Sequence, residues 1–473
     1  MSGASNSRPQ PADGGPVRVS VAEAIGRAKE LFAKGDLAGA ETIAQTIVTQ
    51  RPGHVEATQI LAAAAEKRSD LKRAAELLRS ALTGGSSDGS LQMNLCRTYR
   101  QMGQLEEARL AGEAAVAIGT IPEALVDLAD AYIALGDNVR ALECYERAIA
   151  KAPNSARAHT GLSHALMMTG DFRAGLVEYE WRYRLASTQS LLPKFKQPAW
   201  NGMKLTNSRL FVLCEQGYGD CFQFARYLPF VAERVRDLIV GVSTELKPLI
   251  ERIPGPRVFY DRWETLPAFD FQITLSSLPL VFGTTLETIP ANVPYLHADP
   301  EKVANWRKQL GAKAAGRPTV GLVWHGRPTN LINASRSAPL GALTPILDMA
   351  EILPVSMQVG AGSEQLAQHP SRSRVFDAAP MLKDFGETAA LMTALDHVVT
   401  IETAAAHLAG GLGRSAHVML SNPADWRWLE NRSDSPWYPT LKLVRQEQRG
   451  DWAPVVKKIC AELQTLEAHS PSA

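Results

Sequence analysis

Six consecutive residues, Glu215-Gln216-Gly217-Tyr218-Gly219-Asp220, follow an apolar run from Leu210 to Cys214 and precede a helical pattern from Cys221 to Leu228. Two glycines let the backbone approach a ligand closely, and a helix start offers amides without intrahelical partners. Asp220 beside that start has two readings: a general base taking the proton of an acceptor hydroxyl, or a helix cap. Gln216, Gly217 and Gly219 would form the acceptor-side loop around it. A second junction of this kind runs from Thr319-Val320-Gly321-Leu322-Val323-Trp324 into His325-Gly326-Arg327-Pro328. A histidine at the carboxyl end of a strand titrates near neutrality and suits a base or a phosphate donor; an exposed loop histidine is the alternative. Trp324 and Gly326 flank it.

Arg336 and Ser337 then stand in a polar loop where charge-assisted hydrogen bonds to a diphosphate are available, an ordinary surface arginine being the alternative. Gln358 and Gly360, at the exit of the run Val355 to Val359, suit the base or ribose of a nucleotide. The run His397 to Ile401 passes through Glu402 into Thr403-Ala404-Ala405-Ala406-His407. Amides at Thr403 and Ala404, with the Thr403 hydroxyl and the positive helix end, would face anionic oxygens. His407 falls four residues on, on the same helical face, where a core histidine is the default reading. No two aspartates are separated by a single residue, and the chain has no P-loop, HExxH or cysteine zinc cluster. Transfer chemistry here would offset leaving-group charge with helix ends, Arg and His, and no metal is expected.

These loops need a scaffold. At 473 residues the chain calls for about three structural units. Gly35, Asp70, Gly103, Gly136 and Gly170 recur at the ~34-residue period of tetratricopeptide repeats. The fullest copy runs Leu125, Leu128, Ala129, Tyr132, Gly136, Ala141, Tyr145, Ala148, Pro153. About five repeats over 21–185 would stack into an α-solenoid with a concave face for a peptide or protein, toward which Asn94, Arg97, Arg140 and Arg157 are candidates. A leader, 1–20, precedes them and reads as disordered. A Pro- and Gly-marked connector, 186–204, follows. Beyond it short β-branched runs alternate with helical patterns: 210–214, 238–242, 319–324, 355–359, 397–401 and 416–420. That alternation is α/β, with buried parallel strands in two lobes, 205–296 and 318–465, joined by a linker, 297–317, and followed by a tail, 466–473. Within the linker a helix is expected over 300–310 and a loop over 311–317. Ligands of open parallel sheets collect outside the carboxyl ends of strands, where the candidate residues fall.

Fifty Lys and Arg balance 49 Asp and Glu, so no basic field exists to hold nucleic acid. Five cysteines without a CxxC pair read as small core residues in a reducing compartment. No signal-peptide pattern opens the chain and no 18-residue apolar run occurs, so a cytoplasmic protein without a transmembrane segment is expected.

Together these segments resemble a bacterial family in which tetratricopeptide repeats precede a glycosyltransferase domain related to heptosyltransferases and, more distantly, to O-linked N-acetylglucosamine transferases. The resemblance rests on Gln197-Pro198-Ala199-Trp200-Asn201-Gly202, Glu215 to Leu228, Val320 to Pro328 with Arg336-Ser337, Thr403 to Gly410, Asp425-Trp426-Arg427-Trp428, and Ser435 to Pro439 with Arg445-Gln446. It implies a two-lobed, twin Rossmann-like GT-B fold and a nucleotide-sugar donor held mainly by the second lobe, with no cofactor or metal. Asp220 would be the catalytic carboxylate, while Thr403, Ala404 and His407 would hold the donor phosphates. The acceptor would be a protein hydroxyl, flagellin or another surface protein, with a glycan acceptor as a further option. Glu402 departs from the family, which has Asp before the Thr, and His325 stands where a small residue is expected. The alternative reading is a transferase-like scaffold or nucleotide-sugar sensor without chemistry.

Overall fold

The computed structural model describes residues 19–467 apart from 85–86, 120, 191, 256–257, 261–265 and 329–332. Residues 1–18 of the expected leader and 468–473 of the expected tail lie outside the described residues. Two compact units divide the chain: Met1–Leu135 with Ala150–Ala152, and Gly136–Ile149 with Pro153–Ala473.

Among the described residues ten helices occupy the repeats: α1 (Val21–Ala33), α2 (Leu37–Gln50), α3 (Val55–Lys67), α4 (Leu71–Thr83), α5 (Gly89–Met102), α6 (Leu105–Ile118), α7 (Pro122–Leu135), α8 (Asn138–Lys151), α9 (Ala156–Thr169) and α10 (Phe172–Tyr179). Fully buried alanines, among them Ala28, Ala40, Ala44, Ala57 and Ala74, let helix backbones approach closely in the first unit. Gly35, Gly103, Gly136 and Gly170 each turn the chain between paired helices at positive φ, which glycine adopts without strain. The second repeat differs: Ser69 takes the positive φ, and Asp70 instead caps α4 by accepting from the Arg73 amide. Asp70 is therefore the counterpart of Asp36, which caps α2, and not of Gly35.

The second unit begins inside the repeats, so it holds most of α8 and the pair α9 and α10 together with both sheets. The reason is a buried junction. Arg182, 5% exposed, donates to the Tyr179 carbonyl and to the hydroxyls of Ser276 and Ser277. Its guanidinium lies 3.9 Å from the ring centroids of both Tyr179 and Tyr183, and the Tyr183 hydroxyl donates to Glu215.

Two all-parallel sheets follow. The first has four strands in the order β3-β2-β1-β4: β1 (Leu205–Leu213), β2 (Val235–Gly241), β3 (Val258–Tyr260) and β4 (Phe271–Thr274). The second has six in the order β10-β9-β8-β5-β6-β7: β5 (Thr319–Val323), β6 (Leu353–Ser356), β7 (Phe376–Asp377), β8 (His397–Ile401), β9 (Ala416–Leu420) and β10 (Leu441–Arg445). Every residue of β5, β6, β8 and β9 is buried, as strands covered on both faces require. Strand alternation fixes which face each residue serves. Val320, Leu322 and Trp324 pack with Ile346, Val399 and Val455 on one face, whereas Gly321 faces the other, where a Cβ would meet Leu395 at 2.5 Å. The linker helix, Pro300–Ala314, is longer than expected. Buried Val303, Trp306, Leu310 and Ala314 continue one apolar stripe through the expected loop, and the helix ends where Ala315 and Gly316 turn to positive φ.

Candidate functional site

One cleft of about 860 Å³ lies in the second unit, lined by the segments that leave β1, β5, β6, β8 and β9 at their carboxyl ends. Of the residues singled out from sequence, Gln216, Gly217, Gly219, Asp220, His325, Gly326, Arg336, Gln358, Gly360, Thr403, Ala404 and His407 line it; Trp324 and Ser337 do not. Trp324, 1% exposed, continues the alternation of β5 onto the far face and belongs to the core. Ser337 is a brace: its hydroxyl accepts from the Gly326 amide and donates to Asn333. Gln358 reaches the cleft wall, but its side chain is spent holding the loop, accepting from the amides of Trp324 and His325 and donating to the carbonyls of His325 and Ala361. Gln216 is likewise engaged with the Tyr179 hydroxyl and Ser276.

Asp220 sits in the first turn of the helix Tyr218–Phe224, where its Oδ2 accepts from the Gly217 amide at 3.0 Å. Its Oδ1 accepts from Arg427 Nη2, across from the side of the second sheet. Asp220 thus caps its helix and also lines the cleft. Arg427 also donates to Asp425 Oδ1 at 2.7 Å and to Gln223 Oε1 at 2.8 Å. Burial works against its charge, yet Asp425 and Asp220 outweigh burial and hold the guanidinium protonated. Burial also opposes ionisation of Asp425, but Arg427 keeps that carboxyl below the usual range.

Arg336 lies against Gly326, where a Cβ would come within 3.0 Å of its Nη2, and its buried Nε has no hydrogen-bond partner. Burial lowers the pKa of this guanidinium, partly countered by Glu402, Asp425 and Asp220. Glu402, 5% exposed, accepts from the Asp425 amide at 3.2 Å. Burial and then the Asp425 charge push its carboxyl up to about 8, so it is a neutral acid at pH 7. Glu402 in that state adds no negative charge to the cleft.

Thr403 caps the helix Ala404–Gly411 through its hydroxyl, which accepts from the Ala405 amide. His407 on that helix is driven down to about 3 by burial and by Arg427, so its ring is neutral; Nδ1 pairs with the Tyr438 hydroxyl at 3.0 Å and the ring stacks on Trp428. His325 Nδ1 lies 2.7 Å from the Gly326 carbonyl, an acceptor only, so Nδ1 carries a proton and Nε2 is the nitrogen turned elsewhere. His164 and Tyr179, on the last helix pair, also line the cleft, as do Asp384 and Phe385. Sequence reasoning missed these and gave Arg427 no role; the density of aromatics in Asp425-Trp426-Arg427-Trp428 was the available signal. Among the described residues no group of three or more His, Cys, Asp or Glu is placed to hold a metal ion, and no helix is long and apolar enough to cross a membrane.

Residues 25–90 and 122–165 match tetratricopeptide-repeat families, so the N-terminal array is a protein-interaction module. Protein FlbA of Caulobacter vibrioides is 27% identical over 454 residues, covering 88% of this chain and 74% of that protein. Solved structures similar to the helical part include a crystal structure of MamA (20% identity, TM-score 0.30, covering 34% of this chain and 96% of the other). Another is TTC0263, a tetratricopeptide-repeat protein of Thermus thermophilus (18% identity, TM-score 0.32, 36% and 94%).

Proposed function

We propose that this chain is a cytoplasmic glycosyltransferase of the GT-B kind, moving a sugar from a nucleotide-sugar donor to a hydroxyl of a protein docked on the repeats. The carrying observation is that Asp220, from the first sheet, and Arg336 with the Thr403-capped helix start, from the second, line one cleft at the strands' carboxyl ends. In this reading the donor diphosphate lies on the helix start and on Arg336, whose buried Nε has no hydrogen-bond partner, with neutral Glu402 beside it. Asp220, or His325 through Nε2, takes the acceptor proton. No step calls for a metal. The test is release of nucleoside diphosphate from a panel of UDP-, GDP- and ADP-sugars by the full chain, with host surface proteins as acceptors. Acceptor-dependent release supports the reading; binding by calorimetry without release favours a second one.

That second reading is a nucleotide-sugar-binding scaffold. It draws on one observation: both Asp220 oxygens already accept hydrogen bonds, from Gly217 and Arg427.

A further inference from the structure

We propose that Arg427 is the positioning residue of this cleft: reaching over from the side of the second sheet, it holds the Asp220 carboxylate, so that the proton acceptor is aimed only while the two sheets stand closed on one another. The inference rests on the transferase reading above.

Arg427 lies in the single turn Trp426–Trp428 that follows β9, and all three guanidinium nitrogens are used. Nη1 is tied to its own turn through Asp425, whereas Nε and Nη2 go to Gln223 and Asp220, both on the helix Tyr218–Phe224 of the first sheet. The side chain is 11% exposed and its guanidinium carbon stands 4.3 Å from the Trp426 ring centroid. Trp426 is itself wedged edge-on against Phe172, Tyr179 and Trp437, at centroid separations of 6.0, 6.2 and 6.3 Å, so the platform under the guanidinium is rigid. Asp220, by contrast, sits in a helix of seven residues entered through two glycines.

A planar fork sets the angle of a carboxylate as well as its charge; an ammonium supplies only charge. Three hydrogen bonds on two different elements therefore fix the rotation of Asp220 relative to the floor formed by Arg336 and Thr403. Separation of the sheets would break two of those three bonds and release the carboxylate. Arg427 touches no reacting atom in this scheme; it acts through Asp220.

The test uses the full chain carrying Arg427→Lys or Arg427→Gln, with two readouts. In turnover of whichever nucleotide sugar the unmutated protein accepts, Arg427→Gln is expected to lower kcat about 10–100-fold with KM for the donor held within about threefold, and Arg427→Lys to restore part of the loss. In hydrogen exchange, the Gly217 amide, whose acceptor is Asp220 Oδ2, is expected to exchange about tenfold faster in Arg427→Gln while amides of β8 and β9 keep their protection. A rise in KM at constant kcat would make Arg427 a donor ligand and overturn the proposal, as would unchanged exchange at Gly217. Should the unmutated chain turn over no nucleotide sugar, the transferase reading falls and the exchange experiment alone decides whether Arg427 holds Asp220. Should Arg427→Gln not fold, Gln223→Ala removes only the Nε acceptor, and an exchange increase at Gly217 of about threefold is then required.

Discussion

Two strand-to-helix turns meet in the cleft, and they are built to opposite electrostatic ends. After β1 the chain passes through Gln216-Gly217-Tyr218-Gly219 into the helix Tyr218–Phe224, whose first turn is closed by a carboxylate, Asp220, on the Gly217 amide. After β8 it passes through Glu402 into Ala404–Gly411, whose first turn is closed by a neutral hydroxyl, Thr403, on the Ala405 amide. The first helix start carries its own anion. The second keeps its positive end for an anion from outside, beside an arginine with an unpartnered Nε and a carboxyl that burial holds neutral. In the proposed reading one turn takes a proton and the other a phosphate, although in sequence each reads as an apolar strand, a polar break and a helix. They also touch: a Cβ on Gly219 would lie 2.7 Å from His407 and 3.5 Å from the Ala404 Cα.

The sharpest way to break this comparison is Asp220→Asn. The amide oxygen can still accept from Gly217, but the amide nitrogen then faces Arg427 Nη2 and the proton acceptor is lost; kcat should fall about 10²–10⁴-fold with donor affinity within about threefold, read by steady-state kinetics and calorimetry, with hydrogen exchange of β8 and β9 checking that the fold is kept. Unchanged turnover would move the base to His325. The other turn is probed by Arg336→Gln, which should weaken nucleoside diphosphate binding about 10–100-fold and also lower kcat, because it removes a charged donor from the diphosphate on which charge grows as it leaves. Next in size is Gly219→Ala. Its methyl group has no room between the two helix starts, and a loss of about 1–3 kcal/mol in denaturant unfolding is expected. A neutral result would mean that the turns are less tightly apposed than Gly219 and His407 indicate.

How much of this was legible beforehand follows from where each constraint resides. The repeat turns at Gly35, Gly103, Gly136 and Gly170 were readable because a positive φ restricts the residue locally, and the second repeat was misregistered because Ser69 adopts that φ without being glycine. Strands β8 and β9 fall on the expected residues, 397–401 and 416–420, because fully buried apolar runs stand out between polar breaks. Strands β3, β4, β7 and β10 were missed; β4, Phe271-Gln272-Ile273-Thr274, and β10, with Lys442 exposed, mix polar residues into short runs. Most candidate residues could be proposed from their place after a strand. Trp324 and Ser337 turn away from the cleft, since proximity to a loop does not say which way a side chain turns. The Arg427 clasp was invisible, since Asp220 and Gln223 lie 207 and 204 residues away in the chain.

The smallest expected effect concerns the neutrality of the second turn. Glu402 keeps its proton up to about pH 8, against an ordinary carboxyl that loses it near 4.5. Between those values the folded chain binds more protons than the unfolded one, so this residue makes stability fall as pH rises through the window and level off above about 8. The same ionisation places a negative charge beside Arg336 and the Thr403 helix start. Affinity for a nucleoside diphosphate should therefore drop about threefold to tenfold between pH 7 and pH 9 in the unmutated chain, and less or not at all in Glu402→Gln, by calorimetry at fixed ionic strength. Stability of Glu402→Gln should likewise lose the decline with pH that this residue contributes. Equal pH dependence in the two proteins would mean that the second turn owes its neutrality to something other than a protonated Glu402, and the contrast with the Asp220 turn would then rest on Thr403 and Arg336 alone.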